Sequence, residues 1–322
     1  MLVFIPTAGL GQRLKDKTNY LNKSLLEINN KPIISHIIDK FPMKTQFVIA
    51  LGYKGDIVKK YLKIAYKKRK INFVNIYPYK GKKSGLGLTL LKSSKLLKKP
   101  FLFISCDTLV KNIIKSKKYN WIGYSDKKAG KEYRSIDNQK NKLIKINEKN
   151  IKYKDKKTYI GLAFIKDYNF FWKETKKNLK VSINQGEVFA LNKLIEKNSV
   201  HIKKYIWNDT GTLCNYEKVK NKYIKKDQPV ILKKDNEAIW FTKDLVIKYS
   251  SDQDFIKNRV KRSKLLKNFV PKVISSNKYM YSYKYLKGEV ISKNLTIDKF
   301  KNLLKYLKKF WHINKKINKK KI

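Results

Sequence analysis

An α/β fold, a mostly parallel sheet with crossover helices, is what the first 226 residues predict, and three observations predict it. Short apolar runs alternate with longer amphipathic ones from the N-terminus to about residue 226. The first of these runs leads straight into a glycine-containing turn followed by a basic side chain. A later run, Phe101 to Ser105, delivers an aspartate at its C-terminal end, where open α/β sheets bind ligands.

In chain order, the expected strands are Leu2 to Ile5, Phe47 to Leu51, Phe73 to Tyr77, Phe101 to Ser105, Trp121 to Tyr124 and Tyr159 to Ile165. Helices are expected between them. Ile33, Ile34, Ile37 and Ile38 recur at helical spacing, as do Ile57, Tyr61, Leu62 and Ala65, and Leu88 to Leu97 is a third such segment. The polar stretch Lys225 to Pro229 reads as a linker, because proline and dense charge oppose both a continuing helix and burial. A smaller α+β unit is expected over 227–322. Its strands are Ala238 to Phe241, Leu245 to Tyr249, Val273 to Ser275 and Tyr279 to Tyr285, with a helix from Asp254 to Asn268. The chain then reads as a very basic helix carrying Phe300, Leu303, Leu304, Leu307 and Phe310 on one side.

Composition bounds the function. The chain has 322 residues, 42% of them hydrophobic, ample for one large or two ordinary cores. Its 77 Lys and Arg outweigh 24 Asp and Glu, giving a net charge of +53. The excess is mostly lysine, spread along the whole chain among many Asn, Ile, Tyr and Phe, as a bias towards A/T-rich codons would produce. Base reading favours arginine forks, so no specific nucleic-acid partner is expected, while small anionic substrates are attracted either way. No stretch approaches the roughly 20 apolar residues of a membrane span, and no basic-then-apolar leader begins the chain, so a cytoplasmic location is expected. Cys106 and Cys214 make no disulfide framework, and the three histidines show no metal-ligand spacing.

The segment Phe4-Ile5-Pro6-Thr7-Ala8-Gly9-Leu10-Gly11-Gln12-Arg13-Leu14 has the features of a phosphate-cradling loop. Its glycines let backbone N–H groups approach an anion, and Arg13 and Lys23 supply positive charge. Asp107 ends the apolar run at 101, and Asp209 lies in Trp207-Asn208-Asp209-Thr210-Gly211-Thr212. Two carboxylates beside a phosphate loop suit Mg²⁺, which takes a few carboxylates together with phosphate oxygens and water.

Together these segments resemble the sugar-phosphate nucleotidyltransferases, including cytidylyltransferases that make CDP-choline-like products. The resemblance covers the first unit in order. Ala8 to Arg13 is similar to the family's signature loop, and Asn22-Lys23-Ser24-Leu25 to its Pro-Lys-x-Leu segment with the proline replaced. Asn30 to Ile34 resembles its Gly-Lys-Pro-Ile, Leu51 to Gly55 the turn after its second strand, and Gly85 to Thr89 its nucleotide-base loop. Ile146 to Asn150 resembles its Glu-Lys-Pro segment without the proline, Tyr159 to Phe164 the strand that follows, and Trp207 to Thr212 its Trp-x-Asp-x-Gly-Thr.

The resemblance implies a Rossmann-like nucleotidyltransferase domain over 1–226 whose small-molecule substrates are an NTP and a phosphorylated acceptor. By that likeness Ala8, Gly9, Gly11, Gly85 and Gly87 bind the nucleotide, Arg13 faces the departing pyrophosphate, and Lys23 neutralises the α-phosphate. Asp107 and Asp209 hold Mg²⁺, Lys149 meets the acceptor phosphate, and Glu148, Gly161 and Glu187 line the acceptor side. The absence of a glutamine before Gly85 tilts the base towards CTP. The alternatives are a uridylyl- or thymidylyltransferase acting on a hexose 1-phosphate, and an inactive fold that binds nucleotide or RNA as a scaffold. Oligomeric state stays open.

The second unit resembles the N-terminal lobe of the aminoglycoside phosphotransferase and choline kinase family. Lys248 in Leu245-Val246-Ile247-Lys248-Tyr249 takes the place of the strand lysine, Tyr283 to Gly288 that of the lobe connection, and Leu303 to Asn314 that of the first helix of the next lobe. The catalytic-loop aspartate of such kinases has no counterpart within these residues, so by itself this unit is expected not to phosphorylate. A kinase and a nucleotidyltransferase on one chain would supply consecutive steps, as in pathways that decorate surface polysaccharide.

Overall fold

The computed structural model describes residues 1–115, 118–128, 130–149, 156–224, 234–288 and 291–308. Leu2–Pro6 (β1) is buried at every position, the pattern of a strand covered on both faces. Its side chains divide alternately between two apolar layers, Val3 and Ile5 in one, Leu2 and Phe4 in the other. The following strands are Glu27–Ile28 (β2), Lys31–Pro32 (β3), Gln46–Leu51 (β4), Ile71–Asn75 (β5), Phe101–Ile104 (β6), Thr108–Val110 (β7), Asn120–Lys128 (β8), Ser135–Gln139 (β9), Lys142–Ile146 (β10), Lys157–Ile165 (β11), Val200–Lys204 (β12) and Trp207–Asp209 (β13). Nine of them form one sheet in the order β5-β4-β1-β6-β11-β8-β12-β10-β9, and β9 pairs again with β11.

The expectation of a mostly parallel sheet holds for half of it. β5, β4, β1 and β6 are parallel neighbours, linked through the helices Ile33–Ile38, Gly55–Ala65 and Leu86–Ser93. Beyond β6 the pairing changes. β11 runs antiparallel to β6, β8 and β9, and β10 runs antiparallel to β9 and β12, while β8 and β12 are parallel. For β9 and β10 the connection dictates the direction, because β9 turns directly into β10 through Lys140 and Asn141, with Lys140 at φ 50°, and a two-residue link can join only antiparallel strands. β5 also lies two residues before the expected Phe73 to Tyr77, since Ile71 is the residue paired with Phe47.

The helices Tyr168–Lys177 and Glu187–Lys197 pack Phe171, Trp172, Val188 and Leu191 into the layer that holds Ala163 and Ile165 of β11, and Leu179–Gln185 lies against the helices Leu86–Ser93 and Glu187–Lys197. A fourth, Leu213–Lys222, starts at a Thr212 cap whose hydroxyl accepts from Asn215 N.

Residues 237–284 build a separate antiparallel sheet, Glu237–Phe241 (β14), Leu245–Ser250 (β15), Val273–Asn277 (β16) and Met280–Lys284 (β17), in the order β14-β15-β17-β16, with the helix Gln253–Leu266. Trp240, Ile247, Tyr249 and Met280 of this sheet join the apolar layer that contains Val3 and Ile5. The described residues up to 224 and those of 234–285 accordingly make one compact unit. The helix Ile297–Lys308 belongs to the other unit, with Asp298 in its first turn and Lys305 and Lys308 in its last, as the helix dipole favours. The expected linker at 225–229 and the residues Phe310, Trp311 and His312 lie outside the described residues. Among the described residues no helix is long and apolar enough to cross a membrane.

Candidate active site

Asp107 follows β6 in the turn that leads into β7, and Asp209 ends β13. β13 pairs antiparallel with β7, which sets Asp209 opposite Thr108 and brings together two carboxylates that are far apart in sequence. Thr210 fastens the junction, since its backbone N–H and its hydroxyl each donate to the Asp107 carbonyl at 3.0 Å. Next comes Gly211. A Cβ at this position would lie 3.1 Å from Arg13 Nη2, Asp107 Oδ2 and Asp209 Oδ1 alike, so the three groups face one common space that a side chain would fill. Each Asp209 oxygen has partners: Oδ2 accepts from Tyr133 Oη at 2.8 Å and Asn215 Nδ2 at 2.7 Å, and Oδ1 from Gly211 N at 3.1 Å.

Lys23 Nζ donates to Asp107 Oδ2 at 2.8 Å, with the two side chains 19% and 14% exposed. Burial opposes both charges, but each charge stabilises the other. Asp107 falls to about 2 because the Lys23 charge and hydrogen bond, a bond from Ser105 and the nearby Arg13 outweigh its desolvation. Lys23 rises above the ordinary lysine value, since the Asp107 carboxylate overcomes its own burial. Asp107 is therefore ionised across the physiological range, as a cation ligand has to be. Cys106 beside it is pushed up to about 11 by burial and stays a thiol.

No family model matches the chain. It is 28% identical over 254 residues to a bifunctional protein GlmU of Methanococcus vannielii, a match that covers 74% of this chain and 59% of that protein. The chain thus spans about three fifths of the length of this relative. Over 63 residues it is 38% identical to a glucose-1-phosphate cytidylyltransferase of Salmonella typhimurium, covering 19% of this chain and 24% of that one. Its fold matches the CTP:phosphocholine cytidylyltransferase of Streptococcus pneumoniae with a TM-score of 0.56 at 16% identity, over 69% of this chain and 98% of that one. The chain has the nucleotidyltransferase fold. The cytidylyltransferases it resembles in sequence and in structure are enzymes of that class.

Within the nucleotidyltransferase fold, the Arg13–Asp107–Asp209 space opens into a cleft of about 230 Å³ that also contains Lys149, Gly161 and Glu187. Ala8, Gly9 and Gly85 line a second hollow beside Lys23, together with Pro78, Tyr79 and Thr89. Two of the expected glycines have packing roles. Gly11 adopts φ +75° and would place a Cβ 2.9 Å from Thr18 Cγ2, so the loop needs glycine there for its own shape. Gly87 is buried, with its Cβ position 1.9 Å from the Ser182 carbonyl oxygen, and belongs to a helix contact rather than to the wall of that hollow. At Gly9 a Cβ would meet nothing within 4 Å, so that glycine faces open space.

Several groups in the cleft escaped the sequence reading. Arg134, 11% exposed, donates from Nη1 to Glu148 Oε2 at 2.8 Å, and Gln185 Nε2 donates to Glu148 Oε1 at 2.8 Å. Both Glu148 oxygens are thereby committed. Tyr159 donates to Glu187 Oε1 at 3.1 Å, and burial raises the Glu187 carboxyl above its ordinary value despite this bond and the nearby Arg134. Lys149 is lowered by desolvation and by the positive charges of Arg13 and Arg134. No spacing signal in the sequence joins Tyr133 and Arg134 to Asp209 and Glu148, because the connection before β9 that carries them is placed by tertiary contacts such as Tyr159 N to Arg134 O.

The two carboxylates fit a magnesium ion. Among the described residues no group of three or more His, Cys, Asp or Glu is arranged to hold a metal, but Mg²⁺ commonly takes one or two carboxylates and completes its shell with phosphate oxygens and water. Asp107 Oδ2 and Asp209 Oδ1, each 3.1 Å from the Cβ position of Gly211, are the carboxylate oxygens that would enter such a shell. Lys248 is placed differently from the residues of this site. Its Nζ lies 3.1 Å from Glu237 Oε2 on the neighbouring β14 and over the Phe255 ring.

Proposed function

We propose that the chain transfers a nucleoside monophosphate from an NTP, with CTP favoured, to a small phosphorylated acceptor, releasing pyrophosphate. The observation that carries this reading is the convergence of Arg13, Asp107 and Asp209 on the space in front of Gly211. A phosphate oxygen of the acceptor attacks the α-phosphorus, the bond from that phosphorus to the bridging oxygen of the β-phosphate breaks, and pyrophosphate departs. The nucleophile comes from the substrate, so the protein acts by alignment and by matching the charge that builds on the phosphoryl oxygens.

In this reading Gly9, Gly11 and Arg13 hold the triphosphate, with Arg13 at the leaving group, and Ala8 and Gly85 flank the base. Lys23 turns from Asp107 to the α-phosphate. Lys149 meets the acceptor phosphate, whose negative charge would offset the burial and the cationic neighbours, Arg13 and Arg134, that disfavour the lysine's own charge in the free protein. Gly161 and Glu187 face the rest of the acceptor, while Glu148, behind the lining, holds Arg134 and Gln185 of the cleft wall at its two oxygens. Mg²⁺ would be held by Asp107 and Asp209 and would supply Lewis-acid charge at the phosphates.

The CTP preference rests on the base loop without a glutamine and on the cytidylyltransferase relative. We further propose that 1–226 is the nucleotidyltransferase module, that 227–322 derives from a phosphotransferase lobe, and that the product feeds surface polysaccharide assembly. Pyrophosphate release measured with CTP, UTP, dTTP and ATP against sugar 1-phosphates and phosphocholine tests the assignment. Release with one pairing supports it and names the substrates. Nucleotide binding without release from any pairing rejects it in favour of a scaffold.

A further inference from the structure

Arg13 and Lys23 stand at the two ends of one loop, and that loop is tied down from three directions. At its C-terminal end Asn22 donates from Nδ2 to the carbonyls of Thr7, at 2.8 Å, and Tyr53, at 2.6 Å. In the middle Tyr53 Oη donates to the Thr18 carbonyl at 2.9 Å. The third tie comes from the antiparallel sheet of residues 237–284, where Tyr249 Oη donates to the Tyr20 carbonyl at 2.7 Å across 229 positions of sequence.

Tyr249 is well placed to hold that carbonyl still. It is 1% exposed and stacks on Trp240 with centroids 5.9 Å apart. Trp240 in turn meets Tyr61 edge-on at 4.9 Å, and the Tyr61 hydroxyl pairs with Ser35 Oγ at 2.7 Å. The same sheet bonds a second early segment, Phe241 N to Asn30 O at 2.8 Å. The Tyr20 side chain is 41% exposed and gives the loop little packing of its own. On the same strand Lys248 is paired with Glu237.

We propose that the sheet of residues 237–284 is a positioning element for the triphosphate loop, acting through the Tyr249 hydroxyl on Tyr20 to set Arg13 and Lys23. This rests on the reading of those two residues as triphosphate ligands. Charge alignment at a phosphoryl centre is sensitive to shifts of about half an ångström, and the Tyr20 tie, three residues before Lys23, is one of the three that fix this loop.

The test is Tyr249→Phe in the full chain, which keeps the stacked ring and removes the donor, beside Tyr281→Phe, the same change on β17 of the same sheet. For Tyr249→Phe we expect the CTP KM to rise and kcat to fall, with kcat/KM for CTP reduced about five-fold or more, the size of one lost hydrogen bond. The acceptor KM stays near wild type, the melting temperature falls by only a few degrees, as one lost hydrogen bond costs, and Tyr281→Phe matches wild type throughout. Unchanged CTP kinetics in Tyr249→Phe, or equal losses in both variants, would overturn the proposal. If the wild-type protein releases no pyrophosphate from any pairing, the transferase reading fails and calorimetric titration with CTP decides this one. Weaker CTP binding by Tyr249→Phe supports it, and equal or absent binding overturns it.

Discussion

At Asp107 burial and charge pairing pull in opposite directions, and the pairing prevails because Lys23 Nζ sits 2.8 Å away. Asp107→Asn keeps the shape and removes the charge, leaving Lys23 without its carboxylate partner. We expect pyrophosphate release to fall by about 100-fold or more and stability to drop by about 1–3 kcal/mol, read by a release assay and urea melts. Glu187 behaves oppositely. Burial raises its pKa in the folded state, so its charge at neutral pH works against folding, and this penalty disappears as pH falls below the raised value. Glu187→Gln should therefore melt higher than wild type at pH 7.5, with a difference that shrinks on acidification. Melting curves across pH 4 to 8 check the sign. Asp107 and Asp209 could be found in the sequence because each sits in a local pattern, an apolar run ending in Asp and a Trp-x-Asp-x-Gly-Thr. Arg134 and Tyr133 could not, since their roles come from partners 14 and 76 positions away.

Elements with unbroken apolar runs were readable for a simple reason: a strand buried on both faces has no polar position to confuse its period, as in β1, β4 and β6. The short lysine-bearing strands were not. Val200-His201-Ile202-Lys203-Lys204 and Lys142-Leu143-Ile144-Lys145-Ile146 alternate over too few residues to stand out from loops in so basic a chain. That is also why the antiparallel half of the sheet went unforeseen. The helix Leu86–Ser93 makes an unusually close contact at Gly87, whose Cβ position is 1.9 Å from a backbone oxygen of the helix Leu179–Gln185. Backbone cannot move aside as a flexible side chain can. Gly87→Ala should cost about 1–3 kcal/mol by overpacking, measured by denaturant unfolding, and should disturb the cleft through Gln185 and Gly186.

Across the molecule the charge of +53 adds a long-range attraction for any anionic substrate. Raising ionic strength from about 0.05 to 0.5 M should lower kcat/KM for the nucleotide about three-fold or more while leaving kcat nearly constant, because screening weakens encounter and not the contacts inside the cleft. A kinetic series in KCl checks this. The three-residue ladder between β7 and β13 has a last consequence, for the time at which the protein becomes competent. During synthesis the glycine loop leaves the ribosome first and Asp107 follows near the end of the first third, yet neither has its counterpart until Trp207 to Gly211 emerge and dock. A growing chain can thus form the core strands β1, β4 and β6 well before it can manage a cation, and whatever chemistry the cleft performs is withheld until the whole first sheet has closed around it.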